Sequence, residues 1–564
     1  MHCTSDNIIG ESIGSGTYGM VYEISTPTGP KAMKRIDDCV HQCGLTAETL
    51  HEIAITKSLS PHPNIIEFES IEISNVGVNI IMPLADGTLS DMIAHGDPHL
   101  NDPRAMRSMI LELVTAIAHC TLRNVMNCDI KPNNILYIKR ENEPPRMILT
   151  DFGLARSNIN VISMIQEVYT SQFRAPEILL GSAYDEKAEV WALGIVCCLM
   201  NDVCIDAYRG DDSTTGQLRS IFKIMGTPSD KMWPGVELMP YWFLTKQFPT
   251  FPRDFDIDDF PDETDPLLFD LISKMLILNP SERISVFDIL SHPYFNKPCK
   301  YVPSSLERVK IFDHEFSHDN RHLTTVLRDK HGNIPHSCDN YRYENVRRIT
   351  FNWLIEMKYE VRLTLSSMFL SALLFDIYMT QSSPVPKMSD VQMILCACMK
   401  IASDMYMDYG LMLSDLVYYS DDSFTVSDLA KCEVTILQSL DYKVCKSTPY
   451  DHLVTMDALA CNDRASSRTP KEGLSVGVLI ASLGTLVAFE YSSSEIAMAC
   501  LLIERTYLSK DVASLEPTER VRSCGMSILR GIAKVSDKNA NNENYLFSEI
   551  FKTVDAKSLS EIVL

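Results

Sequence analysis

Between residues 127 and 153 the chain sets Asp129, Lys131 and Asn134 within six residues, in NCDIKPNNIL, and then Asp151-Phe152-Gly153 after the strand-like RMILT. Those residue types at that spacing suit transfer of a phosphoryl group. The reaction needs a carboxylate to orient the attacking hydroxyl, oxygen ligands for Mg2+, and cations for the phosphates. Asp129 suits the first task, Asn134 and Asp151 the second, and Lys131 with the distant Lys34 the third. Near the N-terminus, IGSGTYGMVYEI offers Gly14, Gly16 and Gly19 followed by Val21. Such glycines let a turn close over phosphates with no Cβ in the way, and Val21 can pack on a flat base. A dinucleotide fold is the other use of this spacing, but it wants a helix straight after the glycines, and MVYEI continues as a strand. Lys34 sits on the strand-like KAMKRI, and Glu52 follows eighteen residues later on the helix-like GLTAETLHEIAITKSL. Alone, that pair is no more than a surface ion pair. The ordered series, closing on Ala175-Pro176-Glu177, excludes coincidence.

The elements that must position these groups belong to a long chain. At 564 residues it exceeds one ordinary core, and two to four domains are expected. A hydrophobic share of 45% and a charged share of 22% are those of a globular protein. The net charge of −23 argues against coating DNA or RNA and is compatible with basic peptide substrates. No apolar run reaches transmembrane length; Val190–Met200 and Val478–Phe489 read as buried helices. Residues 1–10 lack the features of a signal peptide, and the 17 cysteines read as reduced, mostly buried thiols. An intracellular protein of cytoplasm or nucleus, not a secreted one, is expected. Cys39, His41 and Cys43 hint at a metal, but no second ligand pair follows, so a plain loop is the reading.

Up to residue 296 strand-like and helix-like segments mix; residues 297–340 turn polar and aperiodic, as in a linker; beyond 341 almost every stretch reads as helix. Val346, Ile349, Trp353, Leu354 and Met357 form one apolar stripe, and Leu429, Ile436, Leu437 and Leu440 another. Ser492-x-x-Glu495 reads as a capping box. The fold expected is multidomain: an α+β first half and an all-α second half.

GSGTYG, DFGLAR, RAPEILLG and IFKIMGTPSDKMWPG make residues 1–296 resemble a eukaryotic protein kinase, and within that family a cyclin-dependent kinase. The resemblance implies the bilobal kinase fold, ATP and Mg2+ as cofactors, serine/threonine specificity, and protein substrates. Asp129, Lys131, Asn134 and Thr170 would be catalytic, with Asn134 and Asp151 on the metal. Ile13, Gly14, Gly16, Gly19, Val21, Ala32, Lys34, Glu52, Met82, Ala85 and Leu136 would bind ATP, with Met82 to Ala85 lining the adenine site and Glu52 pairing with Lys34. Arg283 matches the arginine that pairs with Glu177.

VRRITFNWLIEMKYEVRLT, ILCACMKIASDMY and LVYYSDDSFTVSDLAKCEVTILQSLDYKV resemble the helices of a cyclin box over residues 341–444, and FEYSSSEIAMACLLI resembles a second box within 445–564. The pairing implies activation in cis, by pressing the Glu52 helix towards Lys34. In the family an arginine, a lysine and a glutamate shape the kinase-facing surface; Arg347 and Glu433 match, while Asp404 replaces the lysine. Trp353 matches a substrate-docking tryptophan, with simple core packing as its other reading, and Thr350 stands where an apolar neighbour is usual.

The first half departs from the family in one coherent way. Cys128, His51 and Arg156 stand where three cations hold a phosphothreonine, and Ile165 stands at the threonine itself. Two of the three cationic partners and the acceptor are lost together, so independence from activation-loop phosphorylation is expected. Glu189 replaces a bracing aspartate, Asn127 a packing histidine, and Tyr169 and Gln172 leave a preference for proline after the phosphoacceptor open, although Arg174 is kept. Thr17 and Tyr18 match inhibitory phosphosites or simply suit the turn. A nucleotide-binding scaffold without transfer, and a kinase whose helical half serves only for targeting, are the competing readings; the intact catalytic set favours transfer.

Overall fold

The computed structural model describes residues 8–16, 19–37, 44–74, 77–157, 169–203, 212–296, 340–382, 386–407, 409–460, 474–483, 487–507 and 517–536. The chain forms two compact units. The first holds Met1–Ile36, Ile55–Glu72 and Asn79–Ser317; the second holds Asp37–Ala54, Ile73–Val78 and His318–Leu564.

β1 (Ile8–Gly16), β2 (Gly19–Thr26), β3 (Gly29–Ile36), β4 (Ser70–Ser74) and β5 (Gly77–Pro83) make one sheet in the order β1-β2-β3-β5-β4. Antiparallel pairing puts Gly14 opposite Val21, and Val21 opposite Lys34. The register thus lines up a glycine, an apolar side chain and a cation across three strands. Gly19 tolerates no side chain, because a Cβ would stand 2.3 Å from the Arg35 carbonyl oxygen.

α1 (Ala47–Leu59) carries Glu52. After β6 (Gly87–Thr88), α2 (Leu89–His95) opens on a Thr88–Asp91 capping box and closes on left-handed Gly96. α3 (Pro103–Leu122) starts with Asp102 accepting from the Arg104 N–H and with Pro103 in its first turn. Almost every residue of α3 from Ala105 to Ala118 is buried. By length and composition it is apolar enough to cross a membrane, which corrects the reading that no such run exists; its burial marks it as a core helix. Its buried Glu112 accepts from the Met147 N–H at 2.8 Å and from Arg140 Nη2 at 3.0 Å. These bonds fix the hairpin of β8 (Ile135–Arg140) and β9 (Glu143–Leu149) on α3.

β7 (Val125–Met126) pairs with β10 (Arg156–Ser157), closing the stretch between them into one loop system. α4 (Pro176–Leu179) is followed by α5 (Lys187–Met200), which is buried as its apolar run foretold. α6 (Thr214–Met225), α7 (Pro266–Met275) and α8 (Val286–Leu290) complete the unit. Glu177 and Arg283, both at most 1% exposed, form the expected pair through two bonds of 2.8 and 2.9 Å. Full burial makes this fork–fork geometry costly to break from either side.

The second unit is helical: α9 (Asn340–Glu360), α10 (Leu365–Gln381), α11 (Val391–Tyr406), α12 (Leu413–Tyr419), α13 (Val426–Ser439), α14 (Pro449–Ala460), α15 (Leu474–Ser482), α16 (Val487–Glu490), α17 (Ser493–Tyr507) and α18 (Glu519–Ser536). Ser492 and Glu495 cap α17 reciprocally, as the sequence foretold. The run from Val478 is not one helix, since α15 ends at Ser482. On α9 the buried face holds Arg347, Phe351, Leu354, Ile355 and Met357, whereas Ile349 is 65% exposed and Trp353 only half-buried. Leu354 and Met357 are buried as expected, but Ile349 is not, because a buried ion pair occupies the centre of the core face. Arg347 grips Asp376 of α10 at 2.8 to 3.0 Å and donates to the Leu483 carbonyl. A cavity of about 460 Å³ opens beside this pair, between α10 and α17.

Candidate active site

The Asp129 carboxylate is 4% exposed and receives bonds from three directions. Thr170 Oγ1 donates to Oδ1 at 2.8 Å, and Asn134 Nδ2 donates to Oδ2 at 2.8 Å. Lys131 Nζ lies 2.7 Å from Oδ2 and 2.9 Å from Thr170 Oγ1. The Thr170 N–H also donates to Oδ1, at 3.3 Å. All four catalytic residues named from the sequence therefore meet in one ring. A carboxylate held on both oxygens by donors keeps a fixed direction, which is what orienting a hydroxyl requires.

Asp151 follows β9 in a left-handed conformation, φ +58°, which turns it out of the strand; its Oδ1 accepts from the Gly153 N–H at 3.4 Å. Asn134 spends its nitrogen on Asp129, which leaves its amide oxygen to face away. An amide oxygen and a carboxylate are hard donors and fit a hard divalent cation whose shell is completed by phosphate oxygens and water.

Asn127 does more than fill a packing position. Its Nδ2 donates to the Asp151 carbonyl at 3.2 Å, and its Oδ1 accepts from the Asp129 N–H at 3.1 Å. It thus ties the loop of Asp129 to the loop of Asp151. The signal was present in the sequence as an amide, which donates and accepts at once. Glu189 of α5 is fully buried, and its Oε1 accepts from the Cys128 N–H at 3.0 Å, so the longer side chain still braces the loop. Burial pushes its carboxyl up to about 7, against the opposing effect of the Cys128 and Asn127 N–H groups.

For the nucleotide, Ala32 (β3) and Met82 (β5) are buried; Val21 (β2), Ala85 (after β5) and Leu136 (β8) are half-buried; Ile13 and Gly14 (β1) are exposed. Gly16 ends β1, and Lys34 is 8% exposed on β3. Glu52 is 4% exposed on α1. Ile165, Ser163, Thr17, Tyr18, Cys39, His41 and Cys43 lie outside the described residues.

Within the second unit, the approach to α1 meets α11 and α13. Gly44 has φ +76°, and a Cβ there would stand 2.2 Å from Glu433 Oε2. Glu48, in the first turn of α1, adds to the forces that hold Asp404 protonated longer, after the larger effect of burial. Asp404 does not stand as a bare loss of the interface lysine. Lys400, one helical turn earlier, places Nζ 2.6 and 2.5 Å from its two oxygens, and both residues are buried. Sequence reading missed Lys400; a Lys and an Asp four apart on one helix were the signal. Likewise Arg347 pairs with Asp376, a residue that the motif comparison did not single out.

Compared with known families, residues 8–295 match the model of the protein kinase domain, and residues 321–445 match that of the cyclin N-terminal domain.

Proposed function

The chain belongs to the protein kinase family and carries a cyclin N-terminal domain behind its kinase domain, and from that premise we propose a serine/threonine kinase of the cyclin-dependent type, activated in cis by its own helical half. Binding of ATP with a divalent metal, and action on protein substrates, follow from the family.

Mg2+ supplies charge neutralisation on the phosphates, and Asn134 and Asp151 are the residues that would hold it. Asp129 orients the substrate hydroxyl, Lys131 faces the transferring phosphate, and Lys34, aided by Glu52, steadies the nucleotide beneath the glycine turn. Residues 445–564 serve as a second cyclin-like box; the packing of α14, α15, α17 and α18 on one another supports this. Activity needs no phosphate on the activation loop, because Cys128 is buried and uncharged where a phosphate would need a cation. The protein works inside the cell.

The observation that carries the reading is the closed ring of Asp129, Asn134, Lys131 and Thr170. A scaffold without transfer would need none of it. The test uses the full-length chain with ATP and a peptide library containing Ser, Thr and Tyr acceptors. Transfer to Ser and Thr is expected. Asp129→Asn is expected to keep nucleotide binding while losing roughly 10²-fold or more in kcat, the scale of removing one oriented catalytic group. Near-normal turnover in that variant would refute the role given to Asp129.

A further inference from the structure

Cys128, Tyr169, Tyr184 and Glu189 form a closed polar cluster behind the catalytic loop of the first unit. Their exposures are 0, 2, 4 and 0%. Tyr169 meets Tyr184 edge-on, with ring centroids 6.2 Å apart at 73°. The Tyr169 hydroxyl lies near the Cys128 thiol and makes no hydrogen bond among the described residues. Tyr184 Oη and Glu189 Oε2 have no hydrogen-bond partner among the described residues. Two members carry left-handed backbones, Cys128 at φ +62° and Tyr169 at φ +72°. A residue as large as tyrosine takes that conformation only where its surroundings over-determine it.

The neighbours of Tyr169 show what the conformation secures. Its carbonyl accepts from Arg174 Nε at 2.9 Å. The next residue is Thr170, whose N–H and hydroxyl both reach Asp129. Any movement of the Tyr169 backbone therefore moves Thr170 off Asp129 and Lys131. Cys128 is fully buried and uncharged, and the buried Tyr169 side chain lies beside it.

We propose that this cluster is a phosphate-free brace for the substrate-receiving segment, and that Tyr169 is its positioning residue, acting on the transfer through Thr170. Cys128 is the small partner that leaves room for the ring, and Glu189 anchors the cluster floor through the Cys128 N–H. The aromatic ring supplies the rigid buried contact, and its edge-on packing against Tyr184 fixes its direction. The brace is always formed, so the segment is set without modification.

The inference rests on the kinase reading, and the experiment separates the two. Full-length wild type, Tyr169→Phe, Tyr169→Leu and Cys128→Arg are compared by peptide phosphorylation kinetics and by ATP-analogue affinity. Tyr169→Leu should lower kcat by roughly 10²-fold, the scale of a 1 Å misplacement, with ATP affinity within about twofold. Tyr169→Phe keeps the ring and should recover most of that loss. Cys128→Arg, which forces a guanidinium into the closed cluster, should lose as much as the leucine variant. The proposal is overturned if Tyr169→Leu keeps kcat within about threefold of wild type. It is equally overturned if ATP affinity falls together with kcat, since the residue would then merely support the fold. An inactive wild type would instead contradict the kinase reading, whereas an active wild type beside an active Tyr169→Leu contradicts only the brace.

Discussion

Single residues decide the chemistry here, and Tyr169 bears on more than the brace. Its carbonyl is already taken by Arg174, so it offers no acceptor to the substrate residue that follows the phosphoacceptor. An N–H buried there without a partner costs about 1–3 kcal/mol, and proline has no N–H to lose. On this argument a proline after the phosphoacceptor is the expected preference. Paired peptides with Pro or Ala at that place should differ by roughly tenfold or more in kcat/KM, and equal rates would contradict the argument. Glu189 gives a second prediction. Its carboxyl titrates at about 7 when folded, well above an ordinary glutamate, so ionising it opposes folding. The protonated form's contribution is complete below about pH 4.5 and is lost as pH rises through 7, by up to about 3 kcal/mol. Melting temperatures of wild type and Glu189→Gln, measured from pH 5 to 8, should diverge in favour of the variant as pH rises. Parallel curves would show that Glu189 ionises freely.

At the scale of elements, the replaced interface lysine is the informative case. Lys400 and Asp404 are buried together on α11, beside the segment leading into α1 in the same unit. Removing Lys400 alone leaves a buried carboxylate uncompensated, and Lys400→Met should cost about 3 kcal/mol of stability. Lys400→Met with Asp404→Leu should recover that stability yet stay poorly active if the charged pair, whose Asp404 feels Glu48 in the first turn of α1, takes part in activation. Full activity in the stable double variant would make the pair a packing device only. Much at this scale was legible in the sequence. The strands that carry the glycine turn, Val21 and Lys34 were expected, and the Glu177–Arg283 and Ser492–Glu495 pairs followed from motif position. What escaped depended on long-range packing. The first turns of the α9 stripe were misplaced because Arg347, a charged residue, is buried there, and its partner Asp376 lies 29 positions away. The run of α3 was passed over because charges at Arg104, Arg107 and Glu112 interrupt it, yet Glu112 is buried by partners on β8 and β9.

For the whole molecule, fusion changes what an activating contact must achieve. The stretch 297–340 is about 44 residues, and a flexible chain of that length reaches roughly 35–40 Å r.m.s.. Tethering on that scale gives effective concentrations up to about the millimolar range, so an interface too weak to bind a free partner stays closed. On the proposal of activation in cis, loss of the family's lysine at Asp404 is tolerable, because affinity would no longer limit activation. The central claim is that one chain, without a partner and without phosphate on its activation loop, is the active species. It is tested most directly by the specific activity of full-length protein, made in a host lacking activating kinases, across a dilution series from micromolar to nanomolar. A constant specific activity is the result predicted. Activity that falls steeply with dilution would place activation between chains, and activity that appears only after an activating kinase is added would contradict the phosphate-free account.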